Sequence, residues 1–233
     1  MINHADCTVV IPTFNEAGNI TPLLERITAL CPGIKCLVAD DGSSDGTRDE
    51  VRHFAAKNPG VSLLDRSAEP VKGLSAAVWD GILKCDTRLF VVMDGDGQHP
   101  PEYIERCLES LSRGADLSVG TRERFGLKWS FSRILTSSLA GGLARARLLL
   151  SGVIAQDPMS GFFGGRTEFA EKIHAGNSRR FALGGYKILF DILKSLPDGT
   201  RLTGFEFPFG VRGSGASKLS FKVILSMLLS VAR

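Results

Sequence analysis

Apolar positions along the chain follow two alternating patterns. Short, mainly apolar runs occur at residues 7–12, 34–39, 61–64 and 89–93, the last of them unbroken. A strand buried on both faces reads as a run of this kind. Between the runs, apolar residues take helical spacing. Ile20, Leu23, Leu24, Ile27 and Leu30 mark one face of a helix over 18–30, which Cys31-Pro32-Gly33 ends. A second helix is predicted to about residue 57, with Ser44 or Asp45 as its N-cap, and Asn58-Pro59-Gly60 is a turn. Lys72-Gly73-Leu74 opens a small-residue helix to Cys85, and Pro100 suits the first turn of another that runs to Leu111. Residues 116–120 read as a further strand. Strand and helix in alternation predict an α/β fold: a mainly parallel sheet with right-handed crossovers and helices on both faces.

The second half is patterned differently. Residues 129–152 are helix-like, with apolar Trp129, Phe131, Ile134, Leu135, Leu139, Leu143 and Leu148 to Leu150 punctuated by Lys128, Arg133, Arg145 and Arg147. A basic amphipathic region of this type suits a membrane interface, and it equally suits a helix facing the core. A loop over 157–163 leads into a short strand, 181–196 contains a helix, and 201–209 reads as a late strand. A flexible basic loop at 212–218 precedes the apolar segment 219–232. No stretch holds 18 uninterrupted apolar residues, so none is expected to span a bilayer. The polar start predicts no secretory leader.

Composition bounds the picture without changing it. At 233 residues, 43% apolar and 23% charged, the chain suits one globular domain, and disorder is excluded. Five cysteines lack any CxxC pair and read as reduced thiols. Charge divides the domain into two functional halves. Residues 1–120 carry 11 Lys/Arg against 18 Asp/Glu, and residues 121–233 carry 17 against 7. The acidic half could hold a metal. The basic half suggests an anionic partner such as phosphate, lipid head groups or nucleic acid.

Polar motifs fall at the ends of the first, second and fourth predicted strands, where open α/β sheets place ligands. The fourth runs into Asp94-Gly95-Asp96-Gly97-Gln98. Two carboxylates and an amide oxygen at alternating positions can converge on one hard divalent cation. The same residues also suit a solvated Gly-rich turn. No G-x-G-x-x-G follows the first strand and no GxxxxGK[ST] occurs anywhere. A nicotinamide dehydrogenase and a P-loop phosphotransferase are therefore rejected. Without a stacking platform or a helix-turn-helix pattern, no nucleic-acid partner is expected.

Seven motifs occur in order: PTFNE at 12–16, DDGSSDGT at 40–47, KGLSAAVWDGI at 72–82, MDGDGQHPP at 93–101, VGTR at 119–122, DPMSGFF at 157–163 and RGSGASKL at 212–219. Together they resemble family 2 GT-A glycosyltransferases, and more narrowly the polyprenol-phosphate (dolichyl-phosphate) mannosyltransferases. The resemblance implies that Pro12, Phe14, Glu16, Ala39 and Asp41 line the nucleoside pocket. It implies that Asp94, Asp96 and Gln98 hold Mg2+ or Mn2+, with the Gly95 backbone nearby. Arg122 would touch the sugar phosphate or the acceptor phosphate, Arg133 the acceptor phosphate, and Arg212 and Lys218 the donor diphosphate. Phe14 and Gly95 stand where the family more often has Tyr and Ala.

The activity implied is inverting transfer of a sugar, mannose from GDP-mannose, to a polyprenyl or dolichyl phosphate. The alternative is UDP-glucose or another nucleotide sugar as donor, with a polyprenyl phosphate or a saccharide as acceptor. A lipid acceptor implies a peripheral position on the cytoplasmic face of a membrane, with a membrane-anchoring partner protein as one means of attachment. A nucleotide-sugar or lipid-phosphate sensor without turnover is the reading from another class.

Overall fold

The first strand, β1 (Cys7–Thr13), is buried along its whole length and lies near the middle of a seven-stranded sheet. In this computed structural model residues 2–123, 141–177, 181 and 187–210 are described. After β1 come α1 (Ile20–Leu30), β2 (Lys35–Asp40), α2 (Thr47–Ala55), β3 (Val61–Asp65), α3 (Leu74–Leu83), β4 (Leu89–Val92), α4 (Ile104–Ser112) and β5 (Leu117–Glu123). Residues 141–149 are helical (α5). They are followed by β6 (Phe163–Arg166), α6 (Thr167–Asn177), α7 (Ile188–Lys194) and β7 (Leu202–Pro208).

The strand order is β3-β2-β1-β4-β6-β5-β7. Pairings β1–β2, β2–β3, β1–β4 and β5–β7 are parallel. The chain winds outward from β1 through β2 to β3, then returns through α3 to place β4 on the other side of β1. That reversal is a topological switch point, and it opens a crevice beyond the carboxyl ends of β1 and β4.

Alternation in β1 explains the two-sided core. Cys7, Val9 and Ile11 join the cluster that holds Ile20, Leu24 and Ile27 of α1 and Ile104, Leu108 and Leu111 of α4. Val10 faces the opposite cluster, with Val78, Trp79 and Ile82 of α3, Ile173 of α6 and Leu189 and Leu193 of α7. Helices therefore cover both faces, as the pattern predicts. Leu30 departs from it: it closes the apolar stripe of α1 in sequence but is 46% exposed.

The sheet is mixed where alternation alone implies parallel strands. β6 runs antiparallel to both β4 and β5. Its sequence, FGGR, follows from what lies against it. A Cβ at Gly164 would stand 2.6 Å from Cys107 Sγ of α4 and 2.7 Å from the Phe90 carbonyl of β4. Only glycine lets this strand fill the gap between β4 and β5 beneath α4. The helix α6 that follows has no counterpart in the sequence expectations. Residues 124–140, which include the first half of the predicted basic amphipathic region 129–152, lie outside those described, as does the segment 211–233.

Candidate active site

The tip of β4 is built by backbone geometry before any ligand is considered. Gly97 takes φ +75°, a left-handed conformation that favours glycine. This turn lets the Gln98 N–H donate to Asp96 Oδ1 (3.0 Å), which fixes a carboxylate that is only 6% exposed. The Asp94 N–H donates to Nδ1 of the buried His99 (3.0 Å). Burial pushes the His99 pKa down to about 3, so the ring is neutral and serves as a packing support. It stands among Phe162, Phe207 and Phe209. Gly161 completes the cradle from the far side: a Cβ there would sit 2.8 Å from both Asp94 carboxylate oxygens. Gly95 is seated against β1, its hypothetical Cβ 3.0 Å from Thr13 Cγ2.

Gln98 ties this tip to the late part of the chain. Its Nε2 donates to the Gly210 carbonyl (3.1 Å), and the Gly210 N–H donates to the Gln98 carbonyl (2.9 Å). The amide is thereby oriented with Oε1 as its remaining ligand atom. Two carboxylates and an amide oxygen form a hard donor set, of the kind that takes Mg2+ or Mn2+.

The β1 and β2 tips form the other wall. Pro12 pairs in register with Ala39, and Thr13 with Asp40. Asp40 is fully buried and braces the loop, accepting from Thr13 Oγ1, from the Gly42 and Ser43 N–H groups and from Ser43 Oγ. Asp45 accepts from the Thr47 N–H at the start of α2 and from the Ala17 N–H, so it bridges two loops; the N-cap is neither Ser44 nor Asp45 but Gly46, at φ +100° and without a side-chain cap. Glu16 is 8% exposed at the start of α1 and accepts from Asn19 Nδ2 (2.9 Å). Phe14 is 47% exposed, beside Asn15 at φ +54°. Ala39 is fully buried, and its Cβ lies 3.7 Å from where a Gly81 Cβ would be, so its side chain packs under α3. Asp41 pairs with the buried Arg66 guanidinium and accepts from the Gly73 N–H (2.6 Å).

Across from the carboxylates, β5 contributes Arg122. Its Nε and Nη2 grip Asp157 in a fork (2.7 and 3.0 Å), and its guanidinium lies 5.5 Å from the centre of the Phe209 ring. Burial raises the Asp157 pKa, but the bond and charge of Arg122 outweigh it and hold the carboxyl below its ordinary value. Lys187, just before α7, donates to the Met159 carbonyl (2.9 Å). Burial and the neighbouring Arg122 push its pKa down to about 8, while Asp94 and Asp157 act the other way. Arg122, Asp157, Lys187 and Asp94 thus form one electrostatic group. Arg122 and Asp94 are candidates from sequence and Asp157 stands in the DPMSGFF motif, but Lys187 and the packing role of Gly161 are not foreseen. The signal for Lys187 was a lone cation between GGY and the apolar ILF. Arg133, Arg212 and Lys218 lie outside the described residues.

Residues 8–174 match the family described as glycosyl transferase family 2. The chain belongs to this family. It is a glycosyltransferase, and its sheet is of the GT-A type.

The dolichol-phosphate mannosyltransferase of Saccharomyces cerevisiae is 36% identical to this glycosyltransferase, over 95% of this chain and 84% of the yeast protein. That of Pyrococcus furiosus is 36% identical over 97% of this chain, which spans only 62% of the Pyrococcus protein. Among solved structures, glucosyl-3-phosphoglycerate synthase of Mycobacterium tuberculosis, in complex with Mg2+ and uridine diphosphate, superposes with a TM-score of 0.65. The identity is 23%, covering 99% of this chain and 82% of the synthase. That likeness establishes the fold.

Proposed function

We propose that this glycosyltransferase moves mannose from GDP-mannose to a polyprenyl phosphate, giving polyprenyl phosphate-mannose and GDP. The observation that carries the reading is the 36% identity to the yeast dolichol-phosphate mannosyltransferase over nearly the whole chain. Asp94, Asp96 and Gln98 would hold Mg2+ or Mn2+, which when bound supplies Lewis-acid charge neutralisation at a departing nucleoside diphosphate.

The chain's own residues do the rest. Phe14 offers an exposed face for the base, and Glu16 offers a carboxylate at the pocket floor. Asp41, held by Arg66 and the Gly73 N–H, keeps the loop of the nucleoside wall in place. Arg122 and Lys187 bring positive charge to the side facing Asp94. An acceptor monophosphate has a second pKa near ~6 and is mostly a dianion at neutral pH. Such an oxygen attacks without a general base, and the neutral, buried His99 is not needed as one. The obstacle is repulsion between two anionic substrates, which fixed cations relieve. The reaction is a single displacement at the anomeric carbon with inversion. Arg133 would add to the acceptor side, and Arg212 and Lys218 to the donor diphosphate.

A lipid acceptor requires docking, and α5 with the residues just after it supports it. Leu143, Leu149, Leu150 and Ile154 are 40%, 59%, 85% and 77% exposed, with Arg145 and Arg147 among them. Apolar side chains flanked by arginines fit an anionic lipid surface. No helix among the described residues is long and apolar enough to cross a membrane. In this reading the domain meets the lipid peripherally, from the cytoplasmic face, through this patch or an anchoring partner. Flotation with anionic vesicles tests this: retention is expected, and its loss in Leu149→Asp/Leu150→Asp is expected too.

A second reading replaces GDP-mannose with UDP-glucose or another nucleotide sugar, and extends the acceptor to saccharides. It is favoured by the solved neighbours that hold Mn2+, UDP-glucose and a phosphorylated acceptor. Radiolabelled sugar transfer to a polyprenyl phosphate, from GDP-mannose and from UDP-glucose, with and without EDTA, separates the two. Chelator-sensitive product from GDP-mannose is expected. Product from UDP-glucose alone would replace the first reading with the second.

A further inference from the structure

A different set of ligand atoms converges at the opposite end of β1 from the crevice. His4 lies in the short 3-10 turn His4–Asp6 that leads into β1. Cys31 is the C-cap of α1, and Glu105 lies in the first turn of α4. Among the described residues this is the one group of three or more His, Cys, Asp or Glu side chains whose ligand atoms all lie within 4.8 Å of one another. The seven residues of β1, roughly 20 Å of strand, separate His4 from the crevice.

We propose that His4, Cys31 and Glu105 form a second metal site, distinct from the hard-oxygen set of the crevice, that takes a borderline divalent cation of the Zn2+ class. Donor chemistry sets the class: a thiolate and an imidazole favour Zn2+ over Mg2+. Charge agrees, since one thiolate and one carboxylate cancel one divalent ion. Distance agrees as well. Tetrahedral Zn2+ places its ligand atoms roughly 3.3–3.6 Å apart. His4 Nε2 and Glu105 Oε2 are 2.8 Å apart, and Cys31 Sγ lies within 4.8 Å of both. Shifts on the order of 1 Å in side-chain positions reach coordination distance.

Burial and Glu105 push the Cys31 thiol up to about 11, so in the metal-free chain it keeps its proton. On binding, the S–H bond breaks, a metal–sulfur bond forms and the proton leaves to solvent. His4 coordinates through Nε2 as its Nδ1–H tautomer. The fourth position is left for water. An open cavity of about 440 Å³, lined by Ile2, Glu105, Glu109, Ser112 and Arg113, adjoins the site on the Glu105 side and gives ions a way in. The site would fasten the N-terminal turn to the end of α1 and the start of α4.

Cobalt(II) tests it, because oxygen ligands in the crevice give no thiolate band. The full chain, reduced and stripped of metal, is titrated with Co2+. A thiolate-to-cobalt charge-transfer band saturating at one equivalent is expected. It should persist in Asp96→Asn, vanish in Cys31→Ser, and need ~tenfold more Co2+ in His4→Gln. The His4 variant changes only a surface turn, so its result stands even where Cys31→Ser folds poorly. Absence of the band in the wild-type chain, its survival in Cys31→Ser, or unchanged affinity in His4→Gln would each overturn the site.

Discussion

Two arginines flank the crevice and serve different ends. Arg66, just past β3, is 1% exposed, and its guanidinium is consumed by the protein: Asp41, Asp80 and the Val71 carbonyl take its donors. Two carboxylates meet one buried cation, so charge is cancelled internally. Arg122, at the β5 tip, grips a single carboxylate, Asp157, and stands near a second cation, Lys187. Under the proposed function Asp94 would be committed to a metal, and that side would keep positive charge directed into the crevice. Similar ion pairs would then give a brace on the donor wall and an anion-attracting face on the acceptor wall.

The comparison can be broken or sharpened by substitution. The largest effect is expected from Asp96→Asn, which removes charge from the donor set without changing shape. Transfer should fall on the order of 10²–10³-fold with circular dichroism unchanged. Near-wild-type turnover would remove the β4 tip from the chemistry. Next, Arg122→Ala leaves Asp157 without its partner and should cost about 2 kcal/mol of stability as well as activity. Arg122→Ala/Asp157→Ala should regain stability in urea unfolding while transfer stays low. Recovery of both would make the pair a brace like that of Arg66.

Arg66→Met should cost about 3 kcal/mol, read as a lower Tm, because it strands the largely buried Asp41. Its effect on turnover should be confined to donor KM, and a change in acceptor KM would contradict the division of labour. The smallest effect is expected at Asp65, beside Arg66. Hydrogen bonds from Ser67, with Arg48 nearby, lower its pKa from 3.8 to about 2. A lowered carboxylate contributes stability that is present above 3.8 and lost as pH falls through about 2. Asp65→Asn should therefore cost under ~1 kcal/mol at pH 7, since the ion pair is partly exposed, and the difference from wild type should vanish near pH 2.

The β1–β4 half was legible because its strands are mainly apolar runs that stop at Pro12 or at an Asp. Such runs leave few alternatives to a parallel sheet. The short strand after the 157–163 loop is legible too, but its antiparallel place between β4 and β5 is not, because its two glycines answer to Cys107 and Phe90, residues far away in sequence. No periodicity announces the direction of a strand defined by the space left to it. Helix α6 was hidden for a related reason: its buried apolar residues, Ala170 and Ile173, are too few to make a stripe. In the site, Asp94 and Asp96 stand out because their spacing is local. Lys187 does not, since its neighbours come from β5 (Arg122) and the 157–163 loop (Asp157 and Met159), segments that meet it only in the fold. Acidic residues 40 and 41 looked alike in sequence. The structure divides them, with Asp40 holding its own loop and Asp41 holding Arg66.

The central claim is that donor and acceptor anions are held by opposite walls, and Lys187→Met tests it most directly. Steady-state transfer from GDP-mannose, with the polyprenyl phosphate varied, should show acceptor KM raised on the order of tenfold while donor KM stays within about twofold. A rise in donor KM with acceptor KM unchanged would contradict the account.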